Sequence, residues 1–357
     1  MFRFALRRSA WAIPTLLLVT FLVYIALRMG TDPLASYMRS NPRATHTKIE
    51  QYKKLNGLGS NYVTGYFSWL KNFVTFNWPR SIKGSREVWP ELKDAIANSA
   101  RLGIAATAVG VSVGLGIGIF AALRPGGKRD VAVNTVAFVG ISVPPYISAI
   151  LLQLVFAVYW SKWFGNSLFP TSGVYPPGQD GFDLVLMIKH MALPTVVVAI
   201  QVIAVYSRYM RSSLLDVLNS DYMRTARSKG LSEFRILMRH GVRNALIPVI
   251  TIAALDIGAI VGGLIITENI FDYPGTGKYF LSAFGNGDFP LLMPLMVIIV
   301  ASVLLFNLLA DISRKSTRKR THPEQNKSSQ SSVQHSKSFA IRIQRKSCNK
   351  ILEALNL

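Results

Sequence analysis

The sequence predicts an all-α integral membrane protein with six transmembrane helices, and three observations lead to this fold class. Half of the 357 residues are hydrophobic and the mean hydropathy is +0.31, which is too apolar for a soluble domain of this size. Six apolar stretches are each long enough to cross a bilayer. Basic residues, 40 against 18 acidic, collect in the segments that flank these stretches.

The predicted spans follow from charge-free apolar runs and from the basic residues beside them. Arg7 and Arg8 precede the first run, which favours a cytoplasmic N-terminus. The run is long for a signal peptide and no small-residue cleavage site follows, so we expect an uncleaved anchor helix. With six spans, we expect both termini on the cytoplasmic side of the cell membrane. The spans are 9–27, 102–123, 131–160, 190–207, 245–267 and 289–310.

These spans divide the chain into four segments. An N-terminal anchor helix, 1–28, is followed by an external loop layer, 29–94. A five-helix core, 95–311, contains a basic cytoplasmic loop at 208–244. The last segment, 312–357, is rich in basic, Ser, Gln and Asn residues, which predicts a disordered cytoplasmic tail.

Two spans carry local signals. The second span has small residues at four-residue spacing, a stripe that lets another helix approach closely. In the third, Pro144 and Pro145 stand near the middle of a run too long for one straight crossing, so a kink is expected. The stripe residues are Ala106, Gly110, Gly114 and Gly118.

The loop 208–244 contains a predicted short helix. Ser220 stands at the N-cap position, Asp221 favours the first turn, and Gly230 can adopt the left-handed conformation that ends a helix. Tyr222, Met223 and Ala226 are expected to share the face that meets a partner. In a second helix, a shared apolar face is expected for Phe234, Leu237, Met238 and Gly241.

The residue order in this loop resembles a known family. The string DYMRTARSKGLSEFRILMRHGVRNALIP, 221–248, is similar to the EAA coupling loop of ABC importer permeases, in wording closest to the first permease of the dipeptide/oligopeptide/nickel group. The phrases 268–277, ENIFDYPGTG, and 307–311, NLLAD, resemble the same family. Without the resemblance, an ordinary basic loop obeying the positive-inside rule would explain the charge.

The resemblance implies a type I ABC importer permease (MetI-like) fold and a set of partners. These are a second permease, two ABC ATPase subunits and an external substrate-binding protein, with ATP and Mg²⁺ used by the ATPases. The chain has no G-x-x-x-x-G-K-[ST] loop, and we expect no bound cofactor, catalytic residue or metal site of its own. The implied ATPase-coupling residues are Asp221, Tyr222, Met223, Arg224, Thr225, Ala226, Lys229, Gly230 and Leu231.

The implied function is import of dipeptides or oligopeptides, and the alternative is import of nickel or glutathione by the same architecture. An ion-coupled secondary transporter would need several intramembrane charges, whereas Asp256 stands alone. We attribute the net charge of +22 to contacts with anionic lipid and a cytoplasmic protein partner, and not to binding of nucleic acid. His190 is interpreted as interfacial. Candidate pathway residues, each of which could instead bond a neighbouring helix, are Asn98, Gln153, Gln201 and Asp256.

Overall fold

The structure is a computed structural model in which residues 2–84, 86–176, 183–260 and 264–321 are described. Contacts divide the chain into a body, Phe2–Ala310, and a second unit made of Met1 and Asp311–Leu357. Of the second unit, the described part is the end of a helix that stops at Thr321. The helix therefore passes the predicted start of the tail at 312, in a stretch of helix-favouring Arg and Lys, and the rest of the predicted tail lies outside the described residues.

The described part of the chain consists of helices and their connections. Two of the helical runs contain a π-helical turn, at Leu154–Tyr159 and Leu237–Val242. The α-helices are α1 Phe2–Gly30, α2 Pro33–Ser40, α3 His46–Asn56, α4 Tyr62–Val74, α5 Val88–Ala122, α6 Lys128–Ser142, α7 Pro145–Gln153, α8 Trp160–Phe164, α9 Leu184–Leu218, α10 Asp221–Ser228, α11 Glu233–Ile236, α12 Arg243–Ile260, α13 Ile265–Ile270, α14 Thr276–Asn286 and α15 Phe289–Thr321.

Five helical runs among the described residues are long and apolar enough to cross a membrane. The sixth predicted span, 245–267, falls on α12 and on residues 261–263, which lie outside the described part of the chain. The count of six therefore stays a prediction. The five runs are Arg7–Gly30, Val88–Ala122, Pro145–Phe164, Leu184–Leu218 and Phe289–Leu308.

α5 and α9 pack together along the predicted small-residue stripe. A Cβ atom added at Gly110 would lie 2.5 Å from Val202 Cβ, and one at Gly118 would lie 2.5 Å from the Ser207 carbonyl oxygen. Only hydrogen fits at these two positions, so the backbones approach more closely than larger residues would allow. The prediction that this stripe seats a neighbouring helix is confirmed. Each helix has 35 residues, roughly 50 Å, and so extends beyond a bilayer core of about 30 Å.

The third predicted span is broken, not merely kinked. α6 ends at Ser142, Val143 is extended, and α7 begins at Pro145. Neither Pro144 nor Pro145 has an N–H with which to continue the α-helical bonding pattern, so the helix stops and restarts.

The stretch assigned to a loop layer, 29–94, is itself helical. It contains α2, α3 and α4, and α5 already begins at Val88 within it. Burial explains the early start, since Val88 and Leu92 belong to a core cluster with Tyr24, Tyr66 and Phe289. This cluster joins α1, α4, α5 and α15.

The body has two ends with different construction. The "loop end" consists of the 124–130 turn and residues 219–232. Asp130 of the turn contacts Arg211, which lies in the last turns of α9 just before residue 219, so the two segments are on the same side of the body. The "capped end" consists of residues 31–84, 165–176 and 264–288, whose segments bond to one another.

Candidate functional site

The ends of α10 follow the sequence prediction. Ser220 occupies the N-cap position with an extended backbone, although its hydroxyl donates backwards to the Val217 carbonyl oxygen at 2.5 Å. Gly230 has φ +74°, the left-handed conformation predicted for it. The short helix and both of its ends are therefore where the sequence places them.

The face predicted to meet a partner is divided. Met223 is fully buried and Ala226 is 7% exposed, and both pack with Ile236 and the neighbouring Leu218 of the same chain. The sequence prediction put Ala226 on the face that meets a partner, but in the structure residues of the same chain cover it. These two side chains attach α10 to the body.

The opposite side of α10 is open. Tyr222 is 44% exposed, and the two nearby ion pairs, Arg224 with Asp221 at 3.9 Å and Arg227 with Glu233 at 3.2 Å, join exposed groups that contribute little to stability. Of the implied coupling residues, six exposed ones remain for a partner chain, and Leu231 is half-buried at the edge. The exposed six are Asp221, Tyr222, Arg224, Thr225, Lys229 and Gly230.

The predicted apolar face of the second helix is wrong for two of its residues. Phe234 is 74% exposed and Met238 is 45% exposed, whereas Ile236 and Val242 are buried. Phe234 lies on the side of α11 opposite the buried Ile236. Met238 lies within the π-helical turn at Leu237–Val242, which departs from the 3.6-residue period on which the prediction depends. Phe234 and Met238 add apolar surface to the open side of the loop.

A buried ion pair fixes the base of the loop end. Asp130, on the first turn of α6, binds Arg211 of α9 through two oxygens, with Arg211 Nη2 at 2.6 Å from Oδ2. The Gly126 amide and the Asn134 side chain also donate to this carboxylate. Hydrogen bonding from Arg211 lowers the pKa of Asp130 to about 2. This pair is not predicted from the sequence, where its one signal is Asp130 as the single acid in an otherwise basic turn.

At the capped end, a fully buried carboxylate organises the backbone. Glu268 on α13 accepts hydrogen bonds from the Gly277 amide at 2.7 Å, the Lys278 amide at 3.3 Å and the Leu264 amide at 3.2 Å. Ser99 of α5 donates to it at 2.6 Å. Glu268 therefore caps the N-terminus of α14, where helix amides lack partners and negative charge is favoured.

Two glycines of the 268–277 phrase allow this approach. A Cβ atom at Gly275 would lie 2.4 Å from the carboxyl carbon of Glu268, and one at Gly277 would lie 2.5 Å from Ile265 Cα. Contacts this short require glycine. The phrase that resembles the family thus forms a compact backbone element around one acid.

A second buried acid joins the helices of the 29–94 stretch to α15. Asp288 is 2% exposed, accepts from the Ser81 hydroxyl at 2.5 Å and the Ile82 amide at 3.4 Å, and caps α15 through the Leu291 amide at 3.3 Å. Burial raises the pKa of Asp288, and the bond from Ser81 partly opposes that shift.

Three of the four candidate pathway residues bond backbone carbonyls. Asn98 donates to Pro274 at 3.0 Å, and Gln153 donates to Thr171 and Ile270 at 3.3 and 3.4 Å. These contacts fit the alternative in which each residue bonds a neighbouring element. Contact with substrate stays a prediction, and the side chain of the fourth candidate, Asp256, lies outside the described residues.

Gln201, the third of these residues, completes the break between α6 and α7. Its amide nitrogen donates to the Gly140 carbonyl at 2.9 Å and to the Val143 carbonyl at 3.1 Å. In a continuous helix Gly140 would bond the residue four positions on, but that residue is Pro144 and has no N–H. The glutamine thereby supplies the donor that proline removes.

His190 is buried within its own chain, and its location at the membrane interface stays a prediction. It is 7% exposed, and its Nδ1 lies 2.8 Å from the Ser172 carbonyl oxygen. Among the described residues, no group of three or more His, Cys, Asp or Glu side chains could hold a metal ion.

Long apolar helices, a glycine-packed helix pair and a basic surface loop define a multi-pass helical membrane protein. The family described as "binding-protein-dependent transport system inner membrane component" matches residues 114–322, more than half of the chain. The chain belongs to this family. The predicted class, an all-α permease of the ABC importer type, is thereby confirmed, and the matched region includes α9, α10 and the Glu268 element.

Curated relatives match nearly the whole body. The chain is 35% identical over 311 residues to the oligopeptide transport system permease protein AppB of Bacillus subtilis (strain 168), covering 87% of this chain and 96% of that protein. It is 34% identical over 315 residues to the dipeptide transport system permease protein DppB of the same organism, covering 88% and 96%. Among solved structures, it is similar to the MetNI methionine ABC transporter in an inward-facing conformation, with 16% identity, 63% and 95% coverage and a TM-score of 0.48.

Proposed function

We propose that this chain is a peptide-translocating permease subunit of an ATP-driven importer, with an ATPase subunit bound at the open side of α10. The observation that carries the proposal is the two-sided helix: Met223 and Ala226 hold it on the body while Tyr222 and Arg224 project from it. Family membership and the peptide permease names of AppB and DppB support the function.

The remaining subunits are proposed from the family. A second permease completes the translocation path, two ATPases bind and hydrolyse ATP with Mg²⁺, and a binding protein delivers substrate. ATP binding would favour one of two states of the assembly, and α10 would transmit the motion because its buried Met223 and Ala226 attach it to the body. Import of nickel or glutathione is the alternative, and the names of the relatives favour peptides.

The docking proposal is tested by Tyr222→Ala combined with Arg224→Ala in the complete transporter. Because both side chains are exposed, the permease should reach the membrane in normal amount while co-purified ATPase and peptide-stimulated ATP hydrolysis fall by tenfold or more. Tyr159→Ala is the matched control, since Tyr159 is 47% exposed and lies outside the loop. Unchanged ATPase binding in the double variant would show that α10 is not the docking site.

The substrate is tested in the same cells. Uptake of a labelled tripeptide should depend on the complete transporter and should be competed by unlabelled di- and tripeptides. Competition by glutathione or Ni²⁺ alone, without competition by peptides, would select the alternative.

Orientation is a separate part of the proposal, with the loop end inside and the capped end outside. Single cysteines at the exposed residues Ser68 and Ser228, in a Cys348→Ser version, report the two ends. The cysteine at 68 should react with an impermeant thiol reagent on intact cells, and the one at 228 should be protected. The opposite pattern would reverse the assignment.

A further inference from the structure

The helix α4, in the stretch expected to lie outside the membrane, has three distinct sides. Tyr66 and Trp69 are buried against α1 and α5. One exposed flank is apolar, and the other is polar and carries Lys71. Both flanks repeat at intervals of four, three and four residues, so each is a continuous stripe along the helix. The apolar stripe is Val63, Phe67, Leu70 and Val74, and the polar stripe is Thr64, Ser68, Lys71 and Thr75.

The apolar stripe is open within the chain. Val63 is 53% exposed, Phe67 59% and Val74 65%, while Leu70 between them is half-buried. Phe76, just beyond the helix, is 71% exposed and has φ +55°, a conformation that is uncommon for a bulky residue. Large apolar side chains gathered on one side need a cover of similar polarity.

Two contacts place α4 within the depth of the membrane spans. The Tyr66 hydroxyl lies 2.7 Å from Thr20 Oγ1, and Thr20 is roughly 15 Å along the axis from the end of α1 at Gly30. Tyr24, which contacts Tyr66 and Trp69 of α4, also contacts Phe289, the first residue of the α15 span. α4 therefore lies beside the spans, below the end of α1.

The neighbouring helix α1 is a candidate span with an exposed apolar face of its own. Its Leu18 and Leu22, 61% and 56% exposed, lie on the side of α1 away from Thr20, the residue that contacts Tyr66. In a membrane-spanning helix such a face contacts acyl chains, and α4 packs beside α1 at the same depth. A single lysine on the other flank can extend towards headgroups and water.

We propose that α4 is an interfacial helix whose Val63–Val74 stripe contacts the acyl chains of the leaflet at the capped end, while its Thr64–Thr75 stripe faces headgroups and water. The helix is too short to span, since its 13 residues cover roughly 20 Å. The partner of this surface is the lipid bilayer itself. The inference does not depend on what the transporter carries.

Neighbouring residues on the two flanks provide a matched test. Spin labels are attached one at a time at Phe67→Cys and Ser68→Cys, in a Cys348→Ser version of the complete transporter in phospholipid nanodiscs. Collision with oxygen, which concentrates in acyl chains, is compared with collision with a water-soluble nickel chelate. The label at 67 should favour oxygen and the label at 68 should favour nickel, so the ratio inverts between adjacent positions.

Two results would overturn the proposal. Equal, strong collision of both labels with nickel would place the whole helix in water. Protection of the 67 label from both reagents would mean that another protein chain covers the stripe. The pair Val74→Cys and Thr75→Cys repeats the comparison about two turns further along, in case a label at Phe67 disturbs folding.

Discussion

The capped end and the loop end satisfy their polar groups in opposite ways. At the capped end, Glu268 and Asp288 are buried and each receives bonds from several separate segments. At the loop end beyond the Asp130 pair, the charges of α10 are exposed and paired only loosely with near neighbours in sequence, as Arg224 is with Asp221.

This difference separates two structural purposes. A buried acid with several donors fixes the relative positions of the segments it joins, because removing any bond leaves a buried group without a partner. Exposed charges on a short, well-anchored helix leave the surface available to another chain. The capped end therefore holds its segments in fixed relative positions, whereas the open side of α10 leaves a surface on which the proposed ATPase partner would bind.

The largest effect is expected from Glu268→Ala, which tests the role of the buried acid at the capped end. The change leaves the Gly277, Lys278 and Leu264 amides and the Ser99 hydroxyl without their acceptor, so we expect a loss of about 3 kcal/mol or more. Purified complex should be scarce and its Tm much lower. Glu268→Gln, which keeps one acceptor oxygen, should lie between Ala and wild type. Near-normal stability of the Ala variant would show that Glu268 does not stabilise the fold by capping α14.

A smaller effect is expected from the anchored side of α10. Met223→Ala deletes a fully buried side chain and should destabilise the loop by about 2 kcal/mol or more. Hydrogen exchange of residues 221–231 should accelerate. Met238→Ala is the matched control, because Met238 is 45% exposed and should leave that exchange unchanged. Ala226→Arg should act like Met223→Ala, and equal exchange in all three variants would contradict the anchoring role.

A smaller destabilisation still is expected from backbone strain introduced at the end of α10. Gly230 has φ +74° and open space around it, so Gly230→Val is opposed by backbone conformation alone, by about 1–2 kcal/mol. ATPase co-purification should fall because the helix end is redirected. Gly59→Val is the control, since Gly59 also has open space and no positive φ. Matching losses in the two variants would point to side-chain bulk instead.

The smallest effect expected is a dependence on pH at the capped end. The folded carboxyl of Asp288 has a raised pKa, so the folded state binds more protons than the unfolded one, and stability should fall as pH rises above about 4. Asp288→Asn cannot titrate and should have a shallower decline in Tm between pH 4 and 7. Parallel curves would assign the dependence to other groups.

Features set by neighbouring residues could be predicted from the sequence. The ends of α10, the glycine stripe of α5 and the interruption at Pro144 depend on local propensity and spacing, and each is found where expected. The π-helical turn at Leu237–Val242 could not be predicted from the period of the helix that it interrupts, and Met238 within this turn is exposed.

For features that join distant segments, the sequence identified the residues but not the contacts they make. The phrase 268–277 was visible by resemblance, yet the role of Glu268 depends on Ser99, 169 positions away. Likewise, the two exposed flanks of α4 can be interpreted only once the contact between Tyr66 and Thr20 of α1 is known. The sequence pattern identified Gln201 as a polar residue in a span, but not the carbonyl oxygens that accept its hydrogen bonds.

The bond between Gln201 and the α6–α7 break also has a consequence for hydration. Two carbonyl oxygens are left without a helical donor at the break: that of Gly140, because Pro144 has no N–H, and that of Val143, because the Ile147 amide bonds Pro144 instead. Inside a bilayer such oxygens would ordinarily draw water to that depth, because lipid offers no hydrogen-bond donor. One glutamine amide supplies both hydrogens from a neighbouring helix. The break can therefore remain dry, so the helix can change direction in the membrane without opening a route for protons or ions beside the transport path.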